Sequence, residues 1–156
     1  MKELKKEGLR QFDGNIDHLI QFFADAINEK ANDMIGYAHD IQNKWQTPEE
    51  TIRREWGDCK DIAMLKYFML RSLGVPDEKL SFVYTKTSQR EAHMILQING
   101  DYFLDNIHRG LLPKDSYVPI VSFNNEESRN ASGKTTRKYH GRNTIIAQIL
   151  KKSGIG

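Results

Sequence analysis

The chain has 156 residues, 28% of them charged and 38% apolar, with a net charge of +2. That length suits one domain able to bury about 68 to 70% of its unfolded surface. A lone cysteine excludes an internal disulfide, and no stretch approaches the roughly 18 unbroken apolar residues of a membrane span.

Charge is unevenly spread: no acid follows Glu127, whereas seven lysines and arginines do, giving an acidic body and a basic tail. The tail reads as a solvated terminal segment, the alternative being a docking element for an acidic partner or a membrane surface. Without interleaved aromatics or a recognisable binding module, nucleic acid is not expected. The start, Met1-Lys2-Glu3-Leu4-Lys5-Lys6-Glu7, lacks the apolar stretch of an export signal.

Ile16, Leu19, Ile20, Phe23 and Ile27 recur at helical spacing and predict an amphipathic helix over 16–34, entered through Asp13-Gly14-Asn15. A short second helix starts at Thr47-Pro48-Glu49-Glu50, with Thr47 as cap, Pro48 at the first position and Glu50 completing a capping box. Trp45 before it staples that turn or faces a cleft. In Trp56-Gly57-Asp58-Cys59-Lys60-Asp61 a tight turn hands over to a third helix, marked by Ile62, Leu65, Met69, Leu70 and Leu73 on one face. Gly74 and Pro76 end that helix. Asp58 is its N-cap and Asp61 the capping-box acid, which pins Cys59 at the first helical position.

Strand-like runs follow over 80–86, 92–98 and 102–107, the last two separated by Asn99-Gly100. The stretch 115–123 adds a strand that Pro119 confines to an edge or bulge. Residues 124–140 read as polar loop or disordered chain, and Ile145, Ile146 and Ile149 predict a final short helix over 143–152 that docks on the body or on a partner. The expected fold class is α+β, a single domain over 1–156. Its core spans about 10–124, and 125–156 forms a polar, basic extension. The helix bearing the cysteine packs on an antiparallel sheet bearing a histidine and an acid.

A thiol at a helix N-terminus meets unpaired N–H groups and the positive end of the helix dipole, which favour the nucleophilic thiolate. Such a nucleophile needs a base, and the base an orienting acceptor. Of five histidines, His93 lies inside a predicted core strand, whereas His18, His39, His108 and His140 fall on helix surfaces or loops. Asp105 is an acid in an otherwise apolar run on the next strand. A plain two-residue turn at Asn99-Gly100 would set His93 opposite Asn106, with Asp105 on the reverse face. A loop Ile98-Asn99-Gly100 sets His93 opposite Asp105, and a loop Asn99-Gly100-Asp101 or a bulge also restores a common face. An odd-length loop or a bulge is therefore expected; under the simple turn, Asn106 replaces Asp105 as orienter.

Each residue also has a duller reading: Cys59 as a small buried hydrophobe, His93 as a satisfied core histidine, Asp105 as a turn acid, Asp58 and Asp61 as caps. Cysteine on a helix start, histidine on one strand and acid on the next arise together by accident far less often than singly.

At these residues the chain resembles a known family. Trp45-Gln46-Thr47-Pro48-Glu49-Glu50, Gly57-Asp58-Cys59-Lys60-Asp61, Lys66-Tyr67-Phe68, Leu73-Gly74-Val75-Pro76, Ala92-His93-Met94-Ile95-Leu96, Leu104-Asp105-Asn106 and Pro119-Ile120-Val121-Ser122-Phe123-Asn124 are similar, in order, to the bacterial transglutaminase-like cysteine proteinases, the LapG family. The resemblance covers about residues 20–124. It implies a papain-like, transglutaminase-type α+β fold and a periplasmic endopeptidase that cuts large biofilm adhesins. It also implies sequestration by an inner-membrane receptor of the LapD type that senses cyclic di-GMP. Cys59 is then nucleophile, His93 base and acid, and Asp105 orienter.

The resemblance further implies calcium held beside the cysteine by acidic residues. Asp58 and Asp61 match those positions, but Lys60 stands where an acid is common, which removes a carboxylate and adds repulsion. Periplasmic location follows from the resemblance alone, a cytoplasmic location being the alternative for a chain with no export signal. Transglutaminase-type acyl transfer and an inactive partner-binding domain are the competing functions.

Overall fold

A computed structural model of the chain describes residues 1–39 and 44–152. α1 (Lys2–Arg10) has no counterpart among the predicted elements: its sequence is mostly charged, and it docks through a narrow face made by Leu4 and the buried Gly8. α2 (Ile16–Met34) has the predicted bounds: Asn15 Oδ1 accepts from Asp17 N at 2.9 Å and His18 N at 3.4 Å. Ile20, Phe23, Ala24, Ile27 and Ala31 form its buried stripe.

Next, β1 (Gly36–Tyr37) pairs in parallel with β2 (Trp56–Gly57), and Ala38 N donates to Gly57 O at 2.9 Å. This short ladder ties the end of α2 to the turn preceding the cysteine. Between the two strands α3 (Pro48–Arg54) carries the predicted capping box: Thr47 Oγ1 accepts from Glu50 N at 3.1 Å, and Glu50 Oε1 accepts from Thr47 N at 3.2 Å. Trp45 is half-buried and packs edge-on against Phe82 at 5.8 Å and Phe123 at 6.3 Å between ring centres.

α4 (Cys59–Ser72) is the central helix, and every residue from Lys60 through Tyr67 is buried. It packs against α2, α3 and β4. It stops as expected: Gly74 N donates to Arg71 O at 3.0 Å and Val75 N to Leu70 O at 3.1 Å, a Schellman closure.

The sheet is built on β3 (Leu80–Lys86) and β4 (Ala92–Ile98), both with the predicted bounds, paired from Leu80 opposite Ile98 to Lys86 opposite Ala92. With β5 (Tyr102–Leu104), β6 (Leu112–Pro113), β7 (Val121–Phe123), β8 (Glu127–Arg129) and β9 (Thr135–Lys138), the strand order is β6-β5-β4-β3-β7-β8-β9, antiparallel throughout. Ile20, Phe23, Ile27, Met64, Phe82 and Leu96 meet in the main core between α2, α4 and the sheet.

Four expectations are corrected. The strand expected over 102–107 ends at Leu104, because Asp105 leaves the ladder to accept backbone N–H bonds from Ile107 and His108. Of 115–123 only 121–123 is strand, and it lies between β3 and β8, inside the sheet; Pro119, which cannot donate to a ladder, stays before it. The stretch read as polar loop over 124–140 contains β8 and β9, held by backbone pairing that apolar alternation does not signal. Finally, Ile146 and Ile149 of α5 (Thr144–Lys152) are buried in the main core, so the C-terminal helix docks on the body and the core extends past residue 124.

Candidate active site

Gly57 allows the turn before α4 to close: a Cβ there would lie 2.8 Å from Asp61 Cβ and 3.1 Å from Gln46 Nε2. Asp58 Oδ1 accepts from Asp61 N at 3.1 Å, and Asp61 Oδ2 accepts from Asp58 N at 3.2 Å, the predicted capping box. Cys59 is accordingly the first helical residue. Gln46 braces the turn from the α3 side, donating its N–H to Asp61 Oδ1 at 2.8 Å and its Nε2 to Asp61 Oδ2 at 3.2 Å and Trp56 O at 3.1 Å.

Cys59 is half-buried, and its Sγ accepts from Met94 N at 3.4 Å. The β4 backbone next to His93 therefore touches the sulfur. The imidazole is buried, opposite Thr85 in the β3–β4 ladder, with its ring centre 5.8 Å from that of Tyr117. His93 Nε2 is a buried nitrogen with no hydrogen-bond partner among the described residues. Burial pushes the Cys59 thiol up, against the opposing Met94 N–H. This corrects the expectation of a thiol lowered by its helix start: water lost around the sulfur outweighs what the helix end supplies. Burial likewise pushes His93 down, opposed by the Asp105 charge and assisted by Lys66. Both shifts favour a resting pair of neutral thiol and neutral imidazole.

The β4–β5 loop decides which acid shares the face of His93. Asn99 (φ 53°) and Gly100 (φ 68°) take left-handed conformations, Asp101 N donates to Ile98 O at 2.9 Å, and Leu96 stands opposite Leu104. The loop is thus the odd-length Asn99-Gly100-Asp101, which puts Asp105 on the face of His93. The simple turn that would have favoured Asn106 does not form.

Asp105 is buried, and its carboxylate is well supplied with donors. Oδ1 accepts from Ile107 N at 3.1 Å and His108 N at 2.8 Å; Oδ2 accepts from Tyr117 Oη at 2.7 Å and contacts His108 Nδ1 at 2.8 Å. Burial alone would raise this carboxyl, but the Tyr117 and His108 donors outweigh it and hold the group below the usual carboxylate range. The charge of Asp105 acts on His93 through space, while its hydrogen bonds go to Tyr117 and His108. Beneath it, Lys66 Nζ donates to Asp105 O and Asn28 Oδ1, both at 2.8 Å, and Asn32 Nδ2 donates to Asp105 O at 2.8 Å. Burial takes the Lys66 amine down to about 7, with Asp105 opposing.

Sequence reasoning missed Tyr117, His108, Lys66 and Asn32. Only Lys66 left a signal: it sits four residues after Ile62 and four before Leu70, a cation on the apolar stripe of α4.

Among the described residues no three His, Cys, Asp or Glu side chains gather as a metal cluster. Both carboxylates of the turn already accept N–H bonds, and Lys60 Nζ donates to Asp58 Oδ2. A calcium ion takes six to eight oxygen ligands. Asp58 and Asp61, with an ammonium on one of them, do not fit it.

The sequence model for the bacterial transglutaminase-like cysteine proteinase family matches residues 7–128. Among solved structures, EGTA-treated LapG from Legionella pneumophila superposes with a TM-score of 0.72 at 22% identity, covering 97% of this chain and 96% of that one. The calcium-bound form of the same protein gives 0.69 at 23% identity, covering 97% and 98%. A candidate cysteine protease from Cytophaga hutchinsonii gives 0.52 at 21% identity, over 78% of this chain and 42% of that one. No curated protein matches the sequence. At these identities the structural likenesses establish the α+β, transglutaminase-like fold. The sequence match runs through both the Cys59 turn and the His93 strand, and by it this chain belongs to the bacterial transglutaminase-like cysteine proteinases.

Proposed function

We propose that this cysteine peptidase is an endopeptidase working through Cys59 as nucleophile, His93 as base and acid, and Asp105 as the group that stabilises and orients His93. The observation that carries the reading is the Met94 N–H bond to Cys59 Sγ, which brings the strand of His93 against a thiol at a helix start. His93, neutral at rest, takes the thiol proton as sulfur attacks a peptide carbonyl carbon. The Cys59 N–H, at the open end of α4, is the natural donor to the oxyanion. Collapse breaks the C–N bond, and His93 returns the proton to the departing amine. Water then attacks the thioester, His93 takes its proton, and the acid product leaves as the thiol reforms. Gln46, whose amide is committed to the Asp61 turn, is set aside as an oxyanion donor.

An open groove of about 690 Å³ lined by Thr85, Ile107, His108, Tyr117, Val118 and Ile120 adjoins the Asp105 side and suits an extended peptide with apolar side chains. Another cavity, of about 400 Å³ and flanked by Asn99, Gly100 and Arg129, contains none of these groups. We further propose, from the family resemblance, a large surface adhesin as substrate, cleaved in the periplasm to release biofilm, and an inner-membrane cyclic di-GMP receptor of the LapD type as partner. Calcium, bound in one form of the Legionella neighbour, is the metal to test here.

Incubation of the chain with an adhesin N-terminal segment tests the reading. A discrete cut, lost in Cys59→Ala and His93→Ala, is expected. Incorporation of an added amine in place of hydrolysis would establish acyl transfer. A Cys59 alkylated by iodoacetamide at the same rate in wild type and His93→Ala, with no cleavage, would leave a binding domain.

A further inference from the structure

Lys60 lies between the two acids of the cysteine turn and is 9% exposed. Burying an ammonium is costly unless it is paired and hydrogen-bonded. Here its Nζ donates to Asp58 Oδ2, while Asp58 Oδ1 caps α4 through Asp61 N at 3.1 Å. Asp61 is buried alongside, its oxygens taken by Gln46 N at 2.8 Å, Gln46 Nε2 at 3.2 Å and Asp58 N at 3.2 Å. Two buried carboxylates three residues apart repel one another, and a cation held on one of them relieves this. Calcium can supply such a cation, but here an ammonium already stands on the Asp58 oxygen that an entering ion would approach. Displacing it would drive a buried positive charge against the incoming one.

We propose that Lys60 is a tethered cation that neutralises the Asp58–Asp61 turn from within the chain, so that the helix start bearing Cys59 is set without calcium. The capping box and the Gln46 brace then hold in any calcium concentration. The inference rests on the protease reading only in that the turn carries the proposed nucleophile; whether the turn binds calcium is independent of whether Cys59 cleaves anything.

Thermal unfolding and calorimetric titration of the full chain, in calcium chloride and in EGTA, test it. Wild type is expected to show the same Tm in both media and no saturable heat. Lys60→Met, which keeps the stem and removes the charge, is expected to lose several degrees in both, because Asp58 is left buried and uncompensated. Lys60→Glu is expected to lose several degrees in EGTA and recover them in calcium. Saturable calcium binding by wild type with a raised Tm overturns the proposal, as does a Lys60→Met as stable as wild type or a Lys60→Glu that calcium does not restore. A chain that ignores calcium and also fails to cleave would refute the protease reading and leave this one standing.

Discussion

Tyr117 Oη donates to Asp105 Oδ2 at 2.7 Å while its ring centre stands 5.8 Å from that of His93. One aromatic side chain therefore touches both the acid and the base of the proposed triad, and it spends part of the acid's charge. Tyr117→Phe keeps the ring and removes the bond. Asp105 then acts more strongly on His93, so the acid limb of kcat/KM is expected to move to higher pH, with a stability loss of about 1 kcal/mol. A pH–rate profile and a urea titration measure both; an unmoved acid limb would mean the tyrosine is only packing.

The same limb in wild type has a direction of its own. Activity requires neutral His93, and burial holds the imidazole below its ordinary value of about 6.5. Cleavage is thus expected to persist to lower pH than an exposed histidine would allow. Asp105→Asn removes the charge that opposes this shift, so the limb moves lower still. With the forming imidazolium unsupported, kcat/KM drops about a hundredfold. Equal kcat/KM for Asp105→Asn and wild type across the profile is the result that excludes Asp105 from the mechanism.

Gly57→Ala probes how tightly the cysteine turn is drawn. The new Cβ would meet Asp61 Cβ at 2.8 Å, inside any tolerable contact, so the capping acid or the β2 backbone must shift. Overpacking of this kind costs about 1 to 3 kcal/mol. The expected readout is a lowered Tm together with slower cleavage, since Cys59 is displaced with the helix start; a Tm equal to wild type would show that the turn relaxes freely.

Much of this site was legible because it is built from local rules. Capping chemistry at Asp58 and Asp61 put Cys59 at the first position of α4, and period-two patterning with an Asn-Gly turn gave β3 and β4 their bounds. For Asp105 to share the face of His93 the hairpin needed an odd loop or a bulge, and the loop is odd. What escaped is non-local. Tyr117 reaches Asp105 from 12 positions further along the chain, beyond β6, and nothing in its neighbourhood marks it. The thiol was misjudged because a helix end is visible in sequence, while the packing of β4 over the sulfur, which dehydrates it, is not. β8 and β9 pair through backbone and present polar side chains, so their sequence looks like loop.

Lys66 turns this buried support into a pH dependence of stability. Its amine, ordinarily at 10.5, sits at about 7 in the folded chain because burial disfavours the charge. Between those values the unfolded chain holds a proton that the folded one has released, so stability rises with pH across the window, by up to about 1.4 kcal/mol per pH unit. Below the window both states are protonated, and the folded state bears the full cost of a buried ammonium, shared with Asn28 Oδ1 and Asp105 O. Urea midpoints measured from neutral pH upward are expected to climb, and Lys66→Met is expected to flatten the climb while removing a donor from beneath Asp105. Midpoints that stay level in wild type would show that Lys66 keeps its proton in the fold, where it would act as a fixed positive charge below the Asp105 carbonyl.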